Sequence, residues 1–189
     1  ARAAHRFRPV ILASAAATAA VDEEGAPTAP YTPAPELETV PSPEPTNASD
    51  PAYATPALQD LFTNFDCARD SRPDAELPAD EAVVVCDVDG VEKYLLGPVE
   101  IQGERITDAT SGVRQTQTGA STGEWIVNLE FDGEGTTEFR EVTQRLTGAP
   151  APGDRFAVVL DGSVITAPTS NAVIDNGRAE ISGSFTQES

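Results

Sequence analysis

A chain of 189 residues, 39% of them hydrophobic, can bury one modest core of ordinary domain size and not two large ones, so one domain with appendages is expected. Thirty-one Asp and Glu stand against twelve Lys and Arg, a formal charge of -19. Such a polyanion is repelled by nucleic acid and by the anionic head groups of a bilayer, and neither is expected as a partner.

Arg2, Arg6 and Arg8 precede every acid, so the basic tip is a local feature and Lys93 is the only lysine. No run of about 20 apolar residues exists to span a bilayer as a helix. Val10-Ile11-Leu12 and the Ala-rich stretch to Val21, placed after three arginines, have the outline of a secretory signal. Pro9 opens that apolar run, however, and the chain does not begin with Met. The reading favoured is a buried strand followed by a small-residue connector, in a chain cut from something longer.

Residues 27–56 hold nine of the sixteen prolines, interleaved with Thr, Ala, Ser and Glu. Each proline removes a donor and fixes φ, so an extended, largely disordered surface insertion is expected there. Leu58, Leu61, Phe62 and Phe65 then recur at the spacing of one helix face, predicting a two-turn helix docked on the domain. From residue 83 the period becomes that of strands: "VVVCDV", then "YLLGPVEI", with Asp89-Gly90 as turn residues between them. "WIVNLEF" (125–131) alternates as a strand with one face on the core.

Gly133 to Gly135 break that strand, and "TTEFREVTQRLT" puts Phe139, Val142 and Leu146 on one helical stripe, with Glu141 four residues before Arg145. "RFAVVL" and "SVITAP" flank Asp161-Gly162, a strong hairpin dipeptide. The two strands are expected in the middle of a sheet. A last strand is expected at 179–185. The order is not regularly βαβ, so the fold class is α+β, a mixed or antiparallel sheet with one or two packed helices.

Catalytic chemistry finds little support. His5, the only histidine, lies in the basic tip, which leaves no Ser-His-Asp or Cys-His arrangement in the body of the chain. Asp87-Val88-Asp89-Gly90 opens like a calcium loop, but the downstream Glu is missing at its spacing (Pro98 and Glu100 stand nearby), and a hairpin turn is the better reading. Gly133-Glu134-Gly135-Thr136-Thr137 resembles a phosphate cradle without its Lys, and helix capping explains it better. No carboxylate pair stands out for acid-base work. Catalytic, metal and cofactor-binding residues are therefore all expected to be absent.

Cys67 and Cys86 cannot close a zinc site without further ligands. A disulfide or two buried thiols remain. The acidic, Thr/Pro-rich, lysine-poor composition suits an oxidising compartment, which makes the disulfide the expectation. It would clamp the short helix to the first strand of the sheet.

Taken together, "FRPV", "EKYLLGPVEIQGERITDA", "WIVNLEFDGEGTTEF", "FAVVLDGSVITAP" and "ISGSFTQES" resemble the large extracytoplasmic domain of SecD, the membrane subunit that assists the Sec preprotein translocase. The resemblance covers residues 4–12 and 83–189, and the Pro-rich insertion with its two cysteines is similar to the actinobacterial branch. It implies a head subdomain inserted in a ferredoxin-like base, with residues 1–21 as the end of a base strand and connector, 22–57 as the Pro-rich disordered insertion and 58–189 as the head. It implies a place on the extracytoplasmic face of the cell membrane, in a multi-pass protein whose helices this chain lacks.

The activity implied is assistance to the late, proton-motive-force-driven steps of preprotein translocation, not enzymatic catalysis. The implied partners are unfolded preprotein and, through the full-length protein, SecF and the SecYEG channel. The family's proton-coupled carboxylates belong to membrane helices absent here, so no relay residue is carried over, and no preprotein-binding residue is assigned. The rival reading is a non-catalytic secreted binding module on a Pro/Thr-rich stalk, and a hydrolase using Asp or Thr is a remote third.

Overall fold

The computed structural model describes residues 5–16, 31–67 and 77–182. Arg6–Ala15 (β1) is the strand around which the rest is arranged, and its stretch Phe7–Ile11 is buried on both faces, as a central strand's must be. Its first half pairs antiparallel with Phe156–Leu160 (β7 in chain order), Phe7 facing Val158. Its second half pairs antiparallel with Glu92–Leu96 (β3), Val10 facing Leu96 and Ala13 facing Tyr94. Pro9 is tolerated mid-strand because the side on which its N–H is missing lies opposite a gap in the ladder. There its carbonyl accepts only from Gly97 N, at 3.0 Å, between β3 and the two-residue strand Ile101–Gln102 (β4), which also pairs with β1.

Val83–Cys86 (β2) adds to the outside of β3, and Ser163–Thr166 (β8) to the outside of β7, giving the order β2-β3-β1-β7-β8. This sheet curls until its ends meet: Asp87 bridges Val164 in parallel, and Val88 N donates to Val164 O at 3.1 Å. Alternate residues, Val83, Val85, Tyr94, Leu96, Val10, Ala157, Val159 and Val164, fill the interior of the resulting barrel. The hairpin of β7 and β8 is thus at the end of the strand order and not in the middle, and closure on residues 87–88 covers the edge that β8 would otherwise expose.

A second, three-stranded antiparallel sheet has the order Ile106–Gln115 (β5), Ser121–Phe131 (β6) and Arg178–Ser182 (β9). The helix Gly133–Leu146 (α2) packs between this sheet and the outer face of β1 and β7. Phe7, Phe131, Phe139 and Phe156 meet there with ring centroids 4.9 to 6.1 Å apart. The helix starts at Gly133, three residues before the expected turn, capped by Asp132, whose carboxylate accepts from Gly135 N at 2.7 Å. Gly135 is more than a strand breaker: a Cβ there would lie 2.8 Å from that of Arg105 and 3.2 Å from that of Phe131.

Pro56–Asn64 (α1) is capped by Thr55 and presents Leu58, Leu61 and Phe62 to Ile11, Val84 and Leu95 on the barrel's outer wall. Residues 31–56 carry turns and a short 3-10 helix, Pro51–Tyr53, capped by Asp50. Tyr53 and Ala54 join the same apolar cluster as α1, and Tyr31 donates to Asp60 Oδ2 at 2.6 Å. The expected extended excursion does not describe these residues, because apolar and capping side chains lie among the prolines. Residues 27–30 of that segment, the connector 17–21 and positions 183–185 of the last predicted strand lie outside the described residues.

Among the described residues, two α-helices and two antiparallel sheets make the fold α+β. The strand the sequence reading missed entirely is β5, whose small polar residues carry no apolar alternation since most of them are exposed.

Candidate functional site

The cysteines lie where α1 leaves the barrel wall and where β2 ends, and the two are joined, with Cα atoms 5.7 Å apart. Lys93, 4% exposed, closes the same corner. Its Nζ donates to the carbonyls of Thr63 (2.9 Å) and Phe65 (3.4 Å) at the C-terminal end of α1 and stands 5.3 Å from the centre of the Phe62 ring. A cation there satisfies carbonyls the helix cannot pair and complements its dipole. Burial lowers the ammonium's pKa, with Asp66 acting the other way.

Asp161 (φ 47) and Gly162 (φ 81) both have positive φ and join β7 to β8 with Leu160 facing Ser163, the backbone of a primed hairpin turn. Through the Asp87–Val164 bridge, the strand leaving this turn meets the residue that follows Cys86, so both sequence features abut one seam of the barrel. A shallow groove of about 150 Å³ runs along it, lined by Asp87, Asp89, Tyr94, Val164 and Thr166 among others. The Asp87 carboxylate is engaged by its own turn, accepting from Val91 N at 2.7 Å and Glu92 N at 3.2 Å. The turn reading of that string rests on these two bonds.

The remaining ionisable groups inside the fold hold elements together. Arg155 at the start of β7 forks onto Glu92, Nη1 to Oε1 at 3.0 Å and Nη2 to Oε2 at 3.3 Å, while Tyr94 donates to Oε2 at 2.5 Å. The Arg155 hydrogen bonds, chiefly, hold the Glu92 carboxyl below the ordinary range against its burial, and burial followed by Glu92 raises the Tyr94 phenol. Glu100 pairs with Arg145 at the end of α2, whose Nε donates to Ser49 Oγ at 2.9 Å, bracing helix, barrel and Pro-rich segment. Burial raises the Glu100 carboxyl despite that pairing.

Arg8, fully buried, donates to the carbonyls of Pro78, Glu81 (2.9 Å) and Gly97 (3.0 Å), and Arg6 to that of Leu77 (2.6 Å). Burial pulls the Arg8 guanidinium down to about 10, with Arg6 adding to the effect. These hydrogen bonds and ion pairs run to carbonyls and side chains of the fold, an arrangement that positions backbone.

The three-stranded sheet is built differently. Leu129, Ala179 and Ile181 face α2, while Asp108, Thr110 and Asn128 lie exposed. Glu130 pairs with Arg178 at 2.9 Å, and Arg114 with Glu180. β6 is hydrogen-bonded to β5 on one side and β9 on the other, which leaves β5 as an outer strand.

Residues 81–189, more than half the chain, match the family model described as SecDF, P1 head subdomain. The chain belongs to that family. A protein translocase subunit SecD from Streptomyces coelicolor is 35% identical over 142 residues, 71% of this chain and 24% of that protein. One from Mycobacterium tuberculosis H37Rv is 34% identical over 110 residues, 58% of this chain and 17% of that one. This chain spans about a quarter or less of the length of the relatives it matches.

A crystal structure of SecDF in super-membrane-facing form overlaps 96% of this chain and 17% of its own at 24% identity, with a TM-score of 0.45, too low to carry weight here. The matched head begins just before β2. β1 and α1 precede it, yet β1 is hydrogen-bonded between β3 and β7 inside the head's own sheet. The base strand expected from the resemblance therefore stands within the barrel.

Proposed function

We propose that this chain is the extracytoplasmic head of a SecD subunit and that it assists the late, proton-motive-force-driven steps of preprotein translocation by engaging unfolded preprotein. The family match over residues 81–189 carries this reading. A bonded cysteine pair fits the oxidising face of the membrane, and side chains spent on bracing the fold fit a part that binds and is moved, not one that catalyses. The folding unit takes in the described residues 5–16, 31–67 and 77–182, because β1 completes the barrel. SecF and the SecYEG channel are reached through the membrane-embedded remainder of the parent protein.

Packing of residues 31–56 against the barrel speaks against the stalk of a passive module, since a stalk's apolar residues have nothing to bury against. The test is export in cells whose full-length SecD lacks residues 5–182, followed by pulse-chase of a secretory protein with and without a proton gradient. The expected result is normal ATP-driven initiation with slowed gradient-dependent completion. Wild-type export from the headless protein would overturn the proposal.

A further inference from the structure

We propose that the outer edge of β5, over Asp108–Val113, takes up an extended stretch of unfolded polypeptide as an added strand, main chain to main chain. This deepens the reading above and rests on it for the source of the polypeptide. In a strand, alternate residues turn both N–H and C=O to the same side. The inward set of β5 pairs with β6 in a run from Asp108 facing Glu130 to Val113 facing Trp125. Among the described residues, no backbone bond reaches the outward set. The ladder is irregular at Ile106/Asp108 and again at Val113/Gln115, so the edge is regular for those six residues, roughly 20 Å of strand.

Natural edges are guarded by proline, charged side chains, bulges or a covering element, and the two irregularities bound this stretch without interrupting it. This chain has sixteen prolines and none between Pro98 and Pro150, and its one lysine is buried elsewhere. β8, the comparable edge of the barrel, is covered by residues 87–88, whereas among the described residues no strand or bridge covers the outer side of β5.

Gly112 lies within that run. A glycine in the middle of a strand weakens it unless a bulge, a bend or the close approach of another backbone requires it. Gly97 has such a reason inside the fold, since a Cβ there would lie 1.9 Å from the Ala48 carbonyl oxygen, and Gly177 has a φ of +70°. Gly112 has neither a positive φ nor any atom within 4 Å of where a Cβ would be, so the fold itself sets no demand for glycine there.

Charge selects the occupant. Two copies of a chain carrying -19 repel each other, while a polypeptide with Lys and Arg is drawn in. The small residues Ala109, Thr110 and Gly112 form no side-chain pockets, so recognition is of backbone and tolerates varied sequence.

The test uses the 189-residue chain with a permanently unfolded, reduced and carboxyamidomethylated cationic polypeptide as probe, followed by hydrogen exchange. Alternate amides within Asp108–Val113 should gain protection when the probe is added, and binding should weaken as salt rises. Protection that arises elsewhere, or no binding, overturns the proposal. So does the same protection without probe, increasing with protein concentration, which would make a second copy the occupant.

Ala109→Pro and Thr110→Pro are made as a pair, because only one of them removes an outward N–H. That variant should keep the native circular dichroism and bind the probe roughly tenfold more weakly. Placed in full-length SecD, it should slow export. Normal export there, with export still slowed by removal of the whole head, would sink the edge and leave the function standing.

Discussion

Breaking the Cys67–Cys86 bond should loosen α1 before it loosens the barrel. The bond closes a loop with a sequence separation of 19, and a loop of that size restricts the unfolded chain by about 3 kcal/mol. Against a total stability of roughly 5 to 15 kcal/mol for a domain, that is a large fraction. The loss should be local in its first effects, because α1 meets the barrel through one small apolar cluster, Lys93 and the disulfide itself. The double variant Cys67→Ser, Cys86→Ala should lower the urea midpoint by roughly 1.5 M for a denaturant slope near 2 kcal/mol/M. Hydrogen exchange should show α1 amides losing more protection than those of β1, β3 and β7, whose loss is limited to the fall in global stability. An unchanged midpoint in the variant, or thiols that titrate in the denatured unreduced protein, would refute the reasoning. Equal loosening of barrel and helix would refute its local part.

Gly162→Val forces a branched side chain to a φ of 81° and should cost about 1 kcal/mol or more, read as a lower thermal midpoint. Gly135→Ala should cost about 1 to 3 kcal/mol by overpacking against Arg105 and Phe131, whereas Gly112→Ala should be tolerated by the fold. The folded-state pKa of Glu92 lies below its unfolded value, chiefly because of Arg155. Its stabilisation is therefore present above the ordinary carboxyl range and is lost as pH falls through that range to the lowered value. The gap in urea midpoint between the native chain and Glu92→Gln should close on acidification, and a gap that stays constant down to the acid transition would contradict the assignment.

The elements that pack were legible in the sequence, and those that face water were not. β2, β3, β7 and α2 are legible because burial demands a continuous apolar run, as in Val83–Cys86, or an apolar stripe, as in Phe139, Val142 and Leu146. β5 has no such pattern and gave no signal, although it is the strand with an open edge. The proline-rich segment was misjudged for a related reason: proline density is visible over thirty residues, while the anchors Tyr31, Asp50, Tyr53 and Ala54 are four separate positions. Lys93 drew notice only for being the sole lysine; nothing in the local string places it over the end of α1.

β1 links the two halves of the molecule in a way that bears on how such a head could be moved. Along one strand, Val10 points into the barrel, Ile11 out toward α1, and Phe7 into the aromatic cluster beneath α2. Arg8 and Arg6 on the same strand hold the carbonyls of residues 77–81. Each neighbour of β1 is thereby fixed to a single rigid ladder, and packed interiors transmit displacement instead of absorbing it. A pull applied to β1 would be carried to α2, and α2 underlies the sheet whose outer strand is β5. The outer strand β5 and β1 are thus joined through one close-packed core, the arrangement a binding edge needs if motion of its support is to displace what it holds.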